Sequence, residues 1–257
     1  MLHIVLKRKC KESLGMGKIY TAAMIVIGNE ILSGRTQDKN INYVAVKMVE
    51  CGVALKEVRV IPDIEDVIIR TVNEMRSAFD YVFTSGGIGP THDDITSETI
   101  AKAFDVEWRS DARAYQILSD HYGAEEFSLA RQKMAMIPVG ADLIPNPVSA
   151  APGFNIGNVY VMAGVPRIFQ AMVDHVAAGL KGGDIVQSRT VLSNHAESVI
   201  AEGLGIVNDK YPTVDIGSYP HFKEGKLGVN VVLRSSDVTS LDGAEQDVKV
   251  LVGKKTL

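Results

Sequence analysis

Thr84-Ser85-Gly86-Gly87-Ile88-Gly89-Pro90-Thr91-His92-Asp93-Asp94-Ile95-Thr96 leaves a short apolar run at residues 81–84 and enters a helix-patterned stretch at 97–104. Three glycines within residues 86–89 let the backbone approach a ligand closely, and the helix that follows offers unpaired N–H groups to an anion. A strand, glycine loop and helix in this order belong at the carboxyl end of a parallel strand, where open α/β sheets bind their ligands. The same loop carries Asp93 and Asp94, two charges that would repel a phosphate directly. A divalent cation resolves the conflict, because Mg²⁺ commonly uses one or two carboxylates together with substrate oxygens. A purely structural alternative makes Asp94 or Thr96 a helix N-cap behind a tight glycine turn.

The flanking sequence supplies the rest of such a sheet. Residues 19–27 are almost all apolar and end at Gly28, the pattern of a strand buried on both faces. After a polar loop at 28–40, Ile41, Val44, Ala45, Met48 and Val49 recur at helical spacing until Gly52 stops them. Residues 53–61 read as a second strand closed by Pro62, and Ile64, Val67, Ile68, Thr71, Val72 and Met75 form a second helix stripe. This alternation predicts right-handed crossovers and a parallel sheet covered on both sides. Helices at 97–104, 111–122 and 168–180 and a strand at 159–163 continue it. Lys181-Gly182-Gly183-Asp184 reads as a linker. A strand at 190–192, a helix at 197–204, an alternating strand at 227–233 and a helix at 241–251 then make a small α+β unit. The division expected is a leader at 1–17, a nucleotide-site domain at 18–182 and the small domain at 188–257.

Composition narrows the function. Lys plus Arg is 27 and Asp plus Glu is 31, a formal net charge of -4, which argues against a protein built to grip nucleic acid. Cys10 and Cys51 are the two cysteines, too few for a disulfide framework or a thiolate metal site, and a reducing, cytoplasmic compartment fits. No stretch approaches the roughly 18 apolar residues of a membrane span. Lys7, Arg8, Lys9 and Lys11 follow their few apolar neighbours, the reverse of a signal peptide. The leader is therefore expected to be loose and dispensable, with Met16 as an alternative start.

Two familiar phosphate motifs do not fit. Gly87-Ile88-Gly89 lacks the third glycine of a dinucleotide fingerprint. The segment from Gly28 to Gly34-Arg35-Thr36 has five intervening residues and an Arg where a P-loop needs four and a Lys. Asp63, after Pro62, either caps the next helix or faces the same crevice as Asp94. His92 has no second His or Cys at ligand spacing and reads as a loop residue.

The glycine–acid string, Pro62-Asp63 upstream and Met162-Ala163-Gly164-Val165-Pro166 downstream together resemble the MoaB/Mog molybdopterin-binding domain. Gly28-Asn29-Glu30-Ile31-Leu32-Ser33-Gly34, Gln37-Asp38 and Asn146-Pro147 before Ala151-Pro152-Gly153-Phe154 look like one branch of that family. It holds the N-terminal domain of competence/damage-inducible protein A (CinA) and the molybdopterin-binding-like domain of FAD synthase. The likeness covers residues 19–180 well and extends more weakly through Tyr211-Pro212 and Gly217-Ser218-Tyr219-Pro220.

This resemblance implies a three-layer α/β/α, mostly parallel sheet followed by the smaller α+β domain. It implies a nucleotide or pterin-nucleotide ligand, and Asp63 and Asp94 as the catalytic pair. The phosphate and nucleotide contacts then fall to Gly28, Asn29, Glu30, Thr84, Ser85, Gly86, Gly87, Gly89 and Thr96, with Gly164 and Pro166 as the opposite wall. Asp93 and Asp94 hold the divalent metal, Mg²⁺ or similar, with K⁺ as an additional candidate cation. The activity implied is metal-dependent cleavage of a nucleotide pyrophosphate such as ADP-ribose or FAD. Adenylyl transfer to molybdopterin and a non-catalytic binding module are the alternatives. Relatives of this kind are commonly oligomeric, so a homo-oligomer is expected. Two departures limit the transfer. The 257 residues leave no room for the amidohydrolase domain that CinA proteins often add. Ser149-Ala150 also replaces the usual Gly-Thr, which puts a hydroxyl contact there in question.

Overall fold

The computed structural model describes residues 19–223 and 226–253; the leader expected at 1–17 and the alternative start at Met16 lie outside the described residues. The chain runs β1 (Tyr20–Ile27), α1 (Asn29–Leu32), α2 (Asn40–Glu50), β2 (Val53–Ile61), α3 (Glu65–Ala78), β3 (Tyr81–Ser85) and α4 (Thr96–Ala103). It continues with β4 (Trp108–Ser110), α5 (Ala112–Glu126), α6 (Leu129–Gln132), β5 (Met136–Pro138), β6 (Asp142–Ile144), β7 (Gly153–Ile156), β8 (Val159–Met162) and α7 (Pro166–Ala177). The last elements are β9 (Gln187–Ser193), α8 (Glu197–Lys210), β10 (Asp215–Lys223), β11 (Lys226–Ser235) and α9 (Val238–Gly253).

Six strands form one sheet in the order β2-β1-β3-β8-β7-β6. β2, β1, β3 and β8 are mutually parallel, whereas β7 and β6 close one side antiparallel. β1 lies inside, and its side chains alternate between two cores, as a period of two requires. Ala23, Ile25 and Ile27 pack with Ile68, Val72 and Met75 of α3, Ile100 of α4 and Leu118 of α5. Ala22, Met24 and Val26 pack on the other side with Val44 and Met48 of α2 and Phe169, Met172 and Val173 of α7. The result is the α/β/α sandwich that the alternation predicted. Each large side chain buried completely in these layers contributes about 2 kcal/mol.

The second unit is a three-stranded antiparallel sheet, β10-β11-β9. Val229, Val231 and Leu233 of β11 alternate onto a core shared with Ile200 and Leu204 of α8 and Leu241 and Val248 of α9. The segment joining the units is tied to the first one. The Tyr81 hydroxyl donates to the carbonyl of Lys181 and accepts from its N–H, each at 3.0 Å, and the N–H of Gly183 donates to the carbonyl of Gly52 at 2.9 Å. No helix among the described residues is long and apolar enough to cross a membrane.

Several boundaries differ from the sequence pattern. The polar loop at 28–40 contains the single turn α1, and α7 begins at Pro166 because proline suits the first helical position. α8 runs on to Lys210. β10 was concealed by Gly217 and Pro220, which read as turn residues but here occupy an edge strand. β4, β5 and β6 are three residues each, too short to show periodicity. Val49 belongs to the predicted α2 stripe but is exposed, since α2 packs on β2 and α7 chiefly through Val44 and Met48, with Ile41 and Tyr43 partly buried beside them.

Gly86, directly after β3, has φ +110°, and a Cβ there would lie 2.2 Å from the carbonyl oxygen of Ile27. Its N–H donates to the carbonyl of Met162 at 3.1 Å, so this residue joins the ends of β1, β3 and β8. Gly86→Ala is expected to cost at least ~3 kcal/mol, a forbidden φ combined with a backbone collision. Gly140→Ala, at φ +86° with open space around it, should cost only about 1–2 kcal/mol. Urea midpoints of the two variants test this, and equal losses would contradict it.

Candidate functional site

A cleft of about 530 Å³ opens where β1, β3 and β8 end. Its walls include Glu30, Thr36, Asp63, Asp93 and Asp94, the glycine turn at Gly86, Gly87 and Gly89, and Gly164 and Pro166 opposite. The structure therefore brings together residues separated by more than a hundred positions in the sequence. Gly28, Asn29, Thr84, Ser85 and Thr96, which the resemblance placed in contact with a nucleotide, do not line this cleft. Gly28, Thr84, Ser85 and Thr96 are buried, and Asn29 is exposed beside the cleft-lining Glu30.

Gly28, Asn29 and Ser85 make local contacts, while the hydroxyls of Thr84 and Thr96 are buried without a hydrogen-bond partner among the described residues. The N–H of Gly28 donates to the carbonyl of Ile61 at 3.1 Å, and the N–H of Asn29 donates to Asp63 Oδ2 at 2.8 Å. Asp63 is thus the clasp between the end of β2 and the start of α1. It does not cap α3, whose preceding residue Ile64 has no side-chain cap. Thr84, Ser85 and Thr96 are buried. Ser85 Oγ accepts from the Asn40 amide at 2.8 Å, and that amide also donates to the carbonyl of Gly164 at 2.9 Å. Asn40 thereby cross-braces the end of β3 and the turn before α7. No local pattern signals this role, because Asn40 reads as the last residue of a polar loop.

The acidic turn is organised by its own threonine. Asp94 Oδ2 accepts from the N–H of Thr91 at 2.9 Å and from its hydroxyl at 2.5 Å. Asp94 is therefore not the cap of α4, and neither is Thr96, which is already the first residue of that helix; the cap position, Ile95, makes no side-chain bond. The Asp94 carboxylate also covers Gly89, where a Cβ would fall 2.6 Å from Oδ2. Asp93 is exposed. The Thr91 hydroxyl beside it is the main cause holding the Asp93 carboxyl below its ordinary range; its backbone N–H, His92 and Lys133 add to this. Asp93 therefore stays ionised under all near-neutral conditions.

Four carboxylates, Glu30, Asp63, Asp93 and Asp94, line one cleft. Among the described residues, no three His, Cys, Asp or Glu side chains converge as a protein-only metal site. Hard carboxylate oxygens suit Mg²⁺ or Mn²⁺, and a cation held here would take remaining ligands from water or from a bound phosphate.

The far rim is built by residues 146–151. Asn146 is buried, and its Oδ1 accepts from the N–H of Val148 at 3.0 Å and of Ser149 at 3.1 Å. Its amide donates to Ser149 Oγ at 2.7 Å and to the carbonyl of Ala151 at 2.8 Å. Ala150 is held at φ +61°, a left-handed position that alanine adopts only when its surroundings impose it. The Ser149 hydroxyl lies in the cleft wall, so a hydroxyl is present at the rim one residue earlier than the usual Gly-Thr pattern would put it.

A three-layer α/β domain with a glycine- and carboxylate-lined cleft at the carboxyl ends of its parallel strands defines a small-molecule-binding protein of the open-sheet class. Residues 23–181 match the family described as "Probable molybdopterin binding domain", and the chain belongs to that family. Residues 185–257 match the family described as "FAD synthase, middle domain". A protein of Archaeoglobus fulgidus is 36% identical over 197 residues, covering 77% of this chain and 84% of the relative. One from Pyrobaculum arsenaticum is 31% identical over 244 residues, 91% of each chain. "Probable FAD synthase" of Caenorhabditis briggsae is 29% identical over 92% of this chain, which spans 50% of that relative's length. The crystal structure of CinA from Thermoplasma acidophilum, described as of unknown function, superposes with a TM-score of 0.59 at 33% identity, covering 62% of this chain and 97% of that one.

Removing the Asn146 side chain strands two backbone N–H groups and one carbonyl. Asn146→Ala is expected to cost about 2 kcal/mol, the scale of buried polar groups left unpaired, and to speed amide exchange at Val148 and Ser149. Unchanged exchange at those two amides would contradict this role.

Proposed function

We propose that the chain is a divalent-metal-dependent hydrolase of a nucleotide pyrophosphate of the ADP-ribose or FAD type. The observation that carries this reading is the cleft itself, in which four carboxylates face a glycine turn suited to phosphate oxygens. Similarity to relatives named "Probable FAD synthase" supports a flavin or adenine nucleotide as ligand. A bound divalent cation supplies charge neutralisation between the carboxylates and the diphosphate. Asp93, kept ionised by Thr91, and Asp94 are the residues that would hold it. The backbone of Gly86, Gly87 and Gly89 receives the phosphates at close range. Asp63 uses Oδ2 for the N–H of Asn29, which leaves Oδ1 to orient a water and take its proton. The new P–O bond forms from that water as the bridging P–O bond breaks, giving two phosphomonoesters. The rim at Asn146 and Ser149 confines the remainder of the ligand.

Membership of a molybdopterin-binding family supports a second reading, adenylyl transfer to a pterin phosphate, in which the same acids serve. Turnover of ADP-ribose, FAD, NAD and ATP with Mg²⁺, Mn²⁺ or Co²⁺ separates the two. Hydrolysis of ADP-ribose or FAD that stops in excess EDTA is the outcome expected. Turnover undiminished by EDTA would refute the metal, and ATP consumption only with a pterin acceptor would favour transfer.

Asp94→Asn keeps an acceptor for the N–H and hydroxyl of Thr91 but loses the charge. Turnover should fall on the order of 100-fold or more, the scale of removing one electrostatic catalytic group, with an unchanged melting temperature. Full activity would reduce Asp94 to a turn-forming residue.

A further inference from the structure

Lys133 stands outside the glycine–acid string, in a single 3-10 turn spanning Lys133–Ala135. Its ammonium donates to the carbonyl of Thr91, 42 residues away. The turn that presents it is fixed: Ala135 is fully buried, its carbonyl accepts from the N–H of Asp111 at 2.9 Å, and Met134 forms part of the cleft wall. Lys133 itself lines a small pocket that shares Ile88, Gly89, Asp94 and Met134 with the cleft. Among the residues lining the two, it is the cation.

Thr91 is gripped from both sides. Its N–H and hydroxyl hold Asp94 Oδ2, while its carbonyl is held by Lys133. Apart from these, the hydrogen bonds of residues 88–95 run within the loop, where the N–H of Asp94 also reaches the Thr91 carbonyl at 3.3 Å, or into the helix that follows. Ile88 and Ile95 seat the two ends of the loop on the core, whereas residues 90–93 between them are exposed, and Lys133 holds their backbone from outside the loop. Lys133 also sets a positive charge beside two acids that would otherwise repel each other across one turn.

We propose that Lys133 is the positioning residue of the acidic turn: by holding the Thr91 carbonyl, it fixes Asp93 and Asp94 in the arrangement that receives a cation together with a diphosphate. This rests on the metal-plus-diphosphate reading of the cleft, and Lys133 acts through Thr91 rather than on the ligand. A lysine merely contributing to stability would alter melting and leave the metal dependence of binding alone.

ADP with Mn²⁺ is the probe, titrated calorimetrically into the wild type, Lys133→Met and Lys133→Arg, each repeated in EDTA. Lys133→Met should weaken ADP binding in Mn²⁺ by about tenfold, the scale of one charge-assisted hydrogen bond, with no change in EDTA. Lys133→Arg, which restores a charged donor, should recover most of that loss. Equal affinity of Lys133→Met and wild type in Mn²⁺ overturns the proposal, as does a loss of the same size in EDTA or an Arg variant as weak as the Met variant. Failure of the wild type to turn over ADP-ribose would refute hydrolysis separately, because this comparison reads binding alone.

Discussion

The backbone of Gly86 runs so close to the carbonyl of Ile27 that no side-chain carbon fits between them. That contact draws the ends of β1, β3 and β8 to one point, and the cleft exists because they meet there. Neighbouring side chains then hold the junction from behind. Asn40 braces Ser85 to Gly164, and Asp63 clasps Asn29. These bonds set where the cleft-lining backbone of Gly164 and the carboxylate of Asp63 lie. At the mouth, Thr91 bonds Asp94, and Lys133 bonds the Thr91 carbonyl.

Charge is the second constraint. Four carboxylates in one cleft repel an anionic ligand, while the glycine turn offers an anion its backbone. Both features can be satisfied at once when a cation lies between them. On the proposed reading, removing charge from the acids relieves the repulsion but also removes the groups that would hold the cation. Thr91 favours the ionised form of Asp93.

Much of the fold was legible because β1 is buried on both faces and the helices carry apolar stripes at regular spacing. The α/β/α order follows from residues 19–85 almost alone. The short strands β4 to β6 were not legible, since three residues show no period, and β10 was hidden by Gly217 and Pro220. In the site, the acids and glycines that line the cleft lie in motifs readable in one dimension. Thr84, Ser85 and Thr96 sit in the same motifs but are buried, because β3 is covered on both faces and Thr96 opens α4 beneath Gly87. Asn40 and Lys133 contribute through tertiary contacts, and Asn146 through local ones to Val148, Ser149 and Ala151. For Asn40 and Lys133 no local pattern encodes those contacts, whereas Asn146 stood in a recognisable segment without its bonding being evident.

The central claim is that the cleft admits a diphosphate only together with a divalent cation. The most direct measurement is calorimetric titration of a non-hydrolysable methylene analogue of ADP-ribose into the protein, with saturating Mg²⁺ and again in EDTA. The account predicts affinity at least about tenfold higher with Mg²⁺, equivalent to a coupling of about 1.4 kcal/mol. Equal or tighter binding in EDTA would contradict it.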